Sequence, residues 1–232
     1  MNGVQIKKLQ TDLMYEGFDP GPIDGVLGPR TSAAIIAFKR AIGYAATAFV
    51  GPLTLAALAR GKPLPDTDPI NISKLPWMVE AVRYVGLHEV ADNAELRKWL
   101  ASDGHALGDP AKLPWCGDFV ETAIRLGLPN EPVPNNPYWA LNWRAFGVAC
   151  DPVFGAVASV KRDGGGHVGF LVGQDATRFY LLGGNQANRT SVAPMDKSRF
   201  PKEAFRFPAT YRPIVNYLPT MTSTEASNIT ES

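Results

Sequence analysis

The sequence has little cysteine, little histidine and almost no net charge. Two cysteines in 232 residues, Cys116 and Cys150, exclude a disulfide framework, and in a reducing compartment both are free thiols. Three histidines, His88, His105 and His167, leave few candidates for a general base. Lys plus Arg number 23 against 22 for Asp plus Glu, so no global field draws the chain to nucleic acid or anionic lipid. No apolar run approaches the ~18 residues of a membrane span. Residues Met1 to Lys8 lack the basic-then-apolar pattern of a secretion signal. Membrane insertion is therefore not expected, and synthesis in the cytoplasm without a signal peptide is. No acidic calcium loop occurs, and His88-Glu89-Val90-Ala91-Asp92 carries Asp where a zinc-binding helix needs its second His. Neither a metal nor a cofactor is expected. What is present is the composition of an ordinary globular protein, 45% hydrophobic and 10% aromatic, at a length that suits a small domain followed by a medium one.

The first ~60 residues are rich in Ala and Gly and read as three short helices. Ile6, Leu9 and Leu13 recur at helical spacing up to Gly17. Phe18-Asp19-Pro20-Gly21-Pro22-Ile23-Asp24-Gly25 is a run of turn formers. A second helix opens at Gly28-Pro29-Arg30-Thr31, with Pro where its missing N–H costs nothing, and Ile35 and Phe38 supply its apolar face. The phrase returns 23 residues later as Gly51-Pro52-Leu53-Thr54, an internal echo with the same Gly, Pro and Thr positions. The Pro- and Asp-bearing stretch around Pro63 to Pro69 reads as a linker. The expected organisation is a domain at 1–62, a linker at 63–74, a larger domain at 75–218 and a disordered tail at 219–232, rich in Ser, Thr and Glu.

On Ile6-Lys7-Lys8-Leu9-Gln10, Gly17 to Gly25, Gly28-Pro29-Arg30-Thr31 and Ala37-Phe38, the first segment resembles the three-helix peptidoglycan-binding domains of cell-wall hydrolases. The resemblance covers nearly all of residues 2–60 and implies bacterial peptidoglycan as a partner. Asp24, Gly25 and Arg30 are the candidate contacts. Those three residues serve equally well to hold the loop in shape.

The larger segment reads as helices first and an antiparallel sheet afterwards, an α+β pattern. Helices are expected at Trp77–Val85, Glu95–Leu100 and Trp115–Gly127, the last with Phe119, Ala123 and Leu126 facing inward, and a Trp-bearing helix at Tyr138–Phe146. Strands are expected at Gly155–Val160, His167–Val172, Arg178–Leu182 and Ala209–Val215.

Cys116 stands at a helix start, where unpaired N–H groups and the macrodipole favour a thiolate. His167 follows a glycine turn and opens an apolar strand, a position open to substrate. Asn185, after the next strand, is placed to orient the imidazole, as a thiolate–imidazolium pair would require only a neutral amide. Asp118 follows Cys116 by two residues and would raise the thiol pKa if it pointed inward. It is expected instead to face substrate or to cap the helix. Trp115, Tyr138 and Trp139 either fill the core or line a groove. Cys150, behind Val148-Ala149, reads as a small core hydrophobe.

Pro114-Trp115-Cys116-Gly117-Asp118-Phe119, Gly166-His167-Val168-Gly169-Phe170 and Gly183-Gly184-Asn185-Gln186 resemble the papain-like NlpC/P60 and CHAP hydrolases, in particular a phage and prophage branch. The resemblance implies Cys116 as nucleophile, His167 as base and Asn185 as the orienting residue, with Gln186 as the neighbouring candidate for that role or a substrate contact. It implies an endolysin-like enzyme that cuts an amide of peptidoglycan, acts at the cell wall as a monomer, and relies on a holin-type partner for release. A glycosidase drawing its carboxylate pair from Glu80, Glu89, Glu95, Asp103 and Asp109, and a noncatalytic wall-binding protein, are the alternatives.

Overall fold

The computed structural model describes residues 1–42, 44, 46–59, 75–162, 164–211 and 218–221. The chain divides between Asp68 and Pro69 into two compact units. The expected linker at 63–74 lies outside the described residues, as does the expected tail beyond Met221.

In the N-terminal unit three helices, α1 (Gly3–Tyr15), α2 (Pro29–Ala41) and α3 (Pro52–Ala59), fall where the apolar spacing places them. Asn2 closes the start of α1: its side chain accepts from the Gln5 N–H, and the Gln5 side chain accepts from the Asn2 N–H, so two unpaired donors are satisfied reciprocally. Leu9, Leu13, Ile35, Phe38 and Leu58 form the core, with Phe18 edge-on to Phe38 at 5.5 Å. The echoed Gly-Pro-x-Thr phrase buries its threonine both times, at Thr31 and Thr54.

The turn-rich loop is organised by one side chain. Gln10, on α1 and 1% exposed, accepts from the Gly25 N–H at 2.9 Å and donates to Asp24 Oδ1, the Val26 carbonyl and Thr31 Oγ1. Gly25 has φ 84°, and a Cβ there would lie 2.7 Å from the Gly3 carbonyl oxygen. Both the positive φ and the close approach require glycine.

The second unit is α+β. Helices α4 (Pro76–Val82), α5 (Asn93–Leu100) and α6 (Cys116–Gly127) come first. The sheet follows: β1 (Val148–Ala149), β2 (Val157–Arg162), β3 (Gly165–Gln174), β4 (Arg178–Gln186), β5 (Arg189–Asp196) and β6 (Phe205–Phe207). Its order is β1-β6-β2-β3-β4-β5, and every neighbouring pair runs antiparallel. Helix α6 is buried from Cys116 through Ile124. Its inner face includes Val120 and Ile124 besides Phe119 and Ala123, whereas Leu126 is only half-buried. Trp77 of α4 donates its indole N–H to the Gly155 carbonyl at 2.9 Å and packs edge-on to Phe207.

Several elements differ from the sequence expectation. The segment expected as a helix over Tyr138–Phe146 is a 3-10 helix at Ala140–Ala145. β5 has no counterpart in the sequence reading, because Pro194 and its scattered polar residues break the apolar alternation. As an edge strand it tolerates the proline. Of the strand expected at Ala209–Val215, residues 209–211 are not extended into the sheet, and 212–217 lie outside the described residues. At the expected start of the tail, the Gln174 N–H donates to the Pro219 carbonyl and the Met221 N–H to the Gln174 carbonyl. That pairing ties residues 219–221 to the end of β3.

Gln10→Ala strips the loop of its organising amide and leaves the Gly25 N–H without a partner. A loss on the order of 2–3 kcal/mol is expected. It should be read as reduced amide hydrogen-exchange protection throughout α1 and α2 of the full-length protein, with α6 unaffected.

Candidate active site

Cys116 is the first residue of α6, and its neighbour Gly117 lets the carbonyls of Pro137 and Tyr138 approach so closely that any Cβ would collide with them. Behind it, Trp115 is 1% exposed and donates its indole N–H to Glu89 Oε2 at 2.9 Å. The Trp115 ring covers Gly184 of β4 closely enough to exclude a side chain there. Trp115 thus fastens the start of α6 to β4, and of the two places open to it, core and substrate groove, it takes the core: the ring is fully enclosed. The sequence suggests Glu89 as a glycosidase carboxylate or as part of the incomplete zinc pattern, not as a partner of Trp115. No local signal connects it to Trp115, 26 positions away.

His167 lies near the start of β3, opposite Val160 of β2. Its Nε2 is 3.0 Å from Gln186 Oε1. The orientation of that amide follows from its other end, where Nε2 of Gln186 donates to the carbonyls of Leu181, Gly183 and Ser191. Oε1 is therefore the atom that faces the ring, it accepts only, and the imidazole proton resides on Nε2. Nδ1 keeps its lone pair and, although buried, has no hydrogen-bond partner.

This arrangement corrects two expectations. Gln186, not Asn185, holds the histidine, and the engaged Gln186 amide is not free to contact substrate. The reason is a register shift in the β4–β5 pairing between Gly183 and Gln186, with Asn185 at φ 56°. The irregularity gives the inward position to Gln186. Ala187 and Asn188, at φ 50° and 63°, then complete the two-residue hairpin turn.

The backbone N–H of Val168, next to His167, acts on the Cys116 sulfur, so the thiol and the imidazole strand meet. Both side chains are buried, at 3% and 2% exposure. Burial pushes the Cys116 thiol up, while the Val168 N–H, the Arg162 charge and the N–H groups at the helix start oppose it. Burial likewise brings His167 down to about 4, against the Gln186 hydrogen bond and assisted by Arg162 and Arg199. Both shifts favour the neutral form of each group over the expected thiolate–imidazolium pair. Desolvation outweighs the helix terminus here. Cys150 is half-buried, with its thiol raised to about 11 by burial.

Asp118 neither faces solvent nor caps the helix. It is 1% exposed, and its Oδ2 accepts from the Leu107 N–H at 3.2 Å, fastening the 101–114 segment to α6. Burial, with the charges of Glu121 and Asp103, raises it to about 7. Oδ1 of Asp118, Oε2 of Glu121 and Oδ2 of Asp103 are all buried without hydrogen-bond partners, with Arg125 as the nearby cation, 2.8 Å from Glu121. Tyr138, half-buried, is raised to about 12 by burial and by the same carboxylates. Trp139 is 50% exposed and is the aromatic residue still available to a ligand.

In the N-terminal unit, Asp24 and Gly25 are engaged in the Gln10 network, and Asp24 is held below the ordinary carboxylate range by Gln10 and the Val26 N–H. Arg30 makes an exposed ion pair with Asp19. Loop shaping therefore accounts for Asp24 and Gly25, while Arg30 stands at the surface. Residues 2–58 match the family model "Putative peptidoglycan binding domain". The match takes in α1, α2 and nearly all of α3, and supports a peptidoglycan-binding domain and cell-wall association. No curated protein and no solved structure matches the chain.

The remaining motifs have structural roles. His88 Nδ1 accepts from the Val90 and Ala91 N–H groups, and Asp92 accepts from the His88 N–H, so 88–92 is a side-chain-capped turn. Four of the carboxylates considered for a glycosidase have structural partners, and the fifth is exposed: Glu80 pairs with Arg83, Glu89 holds Trp115, Asp103 lies 3.8 Å from Arg125, Asp109 accepts from Asn93, and Glu95 is exposed.

Asp118 holds its proton more tightly folded, near 7, than at its ordinary 3.8. Its contribution to stability is thus intact below about pH 4 and declines as pH rises toward 7. Asp118→Asn should remove that decline, on the order of 4 kcal/mol between pH 4 and 8. Denaturant unfolding followed by tryptophan fluorescence tests this, since all five tryptophans lie in the second unit. A mutant–wild-type difference that does not change with pH would contradict it.

Proposed function

We propose that this chain is a modular peptidoglycan hydrolase whose papain-like second unit cleaves an amide bond by cysteine attack. The observation that carries the reading is a buried imidazole with Nε2–H held by Gln186, an unpartnered Nδ1, and a cysteine at a helix start against the same strand. Nδ1 takes the thiol proton as Sγ attacks the carbonyl carbon, and the oxyanion forms near the Cys116 backbone N–H at the first turn of α6. The imidazolium returns the proton to the departing amine, leaving a thioester. Water, deprotonated by Nδ1, then releases the carboxylate and the free thiol. Because the resting pair is neutral, proton transfer is coupled to attack rather than completed beforehand. The peptidoglycan-binding unit raises the local concentration of substrate as a tethered second site. Release from the cytoplasm through a membrane-permeabilising partner, as for a phage lysin, completes the reading.

The enclosure of Cys116 and its raised pKa favour a second reading, in which the chain binds the wall without cutting it. Digestion of purified peptidoglycan followed by mass spectrometry separates the two. New amine and carboxylate ends made by the wild type and absent with Cys116→Ala are expected, in reducing buffer and with chelator present. Intact peptidoglycan in both reactions would establish the binding protein, and reducing sugar ends in both would establish a glycosidase. Gln186→Ala, which frees the imidazole to change tautomer, should lower kcat about a hundredfold. Removal of residues 1–62 should reduce the fraction of protein that pellets with cell walls.

A further inference from the structure

Among the described residues, the end of the β2–β3 hairpin carries positive charge that the hydrolytic step does not use. Val160 stands opposite His167 and Arg162 opposite Gly165. Alternate residues of a strand share a face, so Arg162 lies on the face of His167, one cross-strand step toward the hairpin end. Its charge bears on both the Cys116 sulfur and the His167 ring. Arg199, in the 3-10 turn Lys197–Arg199 that follows β5, donates Nη2 to the Lys161 carbonyl at 3.3 Å and also bears on His167. Two guanidiniums from different elements thus stand at the hairpin end of the strand pair that carries the imidazole, and the charge of each acts on it. Both are exposed. Arg83, Arg125, Arg144 and Arg178 of the same unit pair with carboxylates, but among the described residues no carboxylate pairs with Arg162 or Arg199.

This charge opposes the chemistry when no substrate is bound. Once Nδ1 accepts the thiol proton, an imidazolium stands beside two guanidiniums, and like charges raise the cost of that transfer. An anion seated on the arginines would offset it. Guanidiniums match carboxylates in a two-pronged geometry, and the stem peptides of peptidoglycan present free carboxylates close to their amide bonds.

Resting on the hydrolase reading above, we propose that Arg162 and Arg199 form a carboxylate-binding subsite at the rim of the Cys116–His167 centre. The scissile amide then lies within about one residue of a free substrate carboxylate, and the subsite selects that bond over amides flanked by neutral groups.

Calorimetric titration of full-length Cys116→Ala with one stem peptide in two forms, free carboxylate and carboxamide, tests the subsite without requiring turnover. The carboxylate form should bind about tenfold more tightly, with the preference shrinking as salt is raised. Adding Arg162→Gln and Arg199→Gln together should bring the preference to less than about twofold, and Arg162→Lys should retain part of it. Tryptophan fluorescence verifies that each variant is folded. Equal affinity for the two forms, no binding of either, or a preference that survives the double substitution would overturn the subsite. Mass spectrometry of the same peptides incubated with wild type keeps the two ideas apart. Preferential binding without cleavage overturns the hydrolase reading and leaves the subsite, whereas cleavage without preference overturns the subsite alone.

Discussion

The buried amide of Gln186 is the constraint on which the candidate site depends. Three backbone carbonyls take its N–H groups, so its oxygen has one orientation, and that orientation sets the tautomer of His167. A side-chain amide in water turns freely. In a low-dielectric interior, a flip would set Nε2 against the ring proton and leave carbonyls unsatisfied, at a cost of several kcal/mol. The bulge in β4 and the tight hairpin into β5 exist in the same few residues, and they aim Gln186 inward. Trp115 closes the arrangement from the helix side, held by Glu89 and pressed onto Gly184.

Burial governs the electrostatics of this centre more than the helix terminus does. Cys116 sits where a terminus should favour a thiolate, yet enclosure raises the thiol and lowers His167, which favours the neutral form of each. The same helix shows the effect a second time two residues on, where Asp118 is raised to about 7 beside Glu121 and Asp103. These carboxylates act on the neighbouring segment, through Leu107 and Arg125, and not on the sulfur.

The N-terminal unit follows a related principle on a smaller scale. One glutamine on α1 satisfies a loop that cannot form regular structure, and the turn-forming residues that make the segment resemble wall-binding domains are largely those the loop needs for its own geometry. Arg30, paired with Asp19, and the exposed side chains around the loop remain at the surface.

How much of this was legible depends on the range of the interaction. The positions of α1, α2 and α6, the cysteine at a helix start, the histidine at the start of a strand and the α+β order followed from spacing, caps and turn residues, because those signals act within one or two turns of chain. The sequence also narrowed the third residue to the Asn185-Gln186 pair. The choice between them was made by the register of β4 against β5, a strand whose proline and polar residues concealed it. Burial, too, was decided in three dimensions. Whether Cys116 is a thiolate, whether Asp118 faces solvent and whether Trp115 lines a groove all depend on segments distant in sequence, since desolvation is a property of what packs around a group and not of its neighbours along the chain.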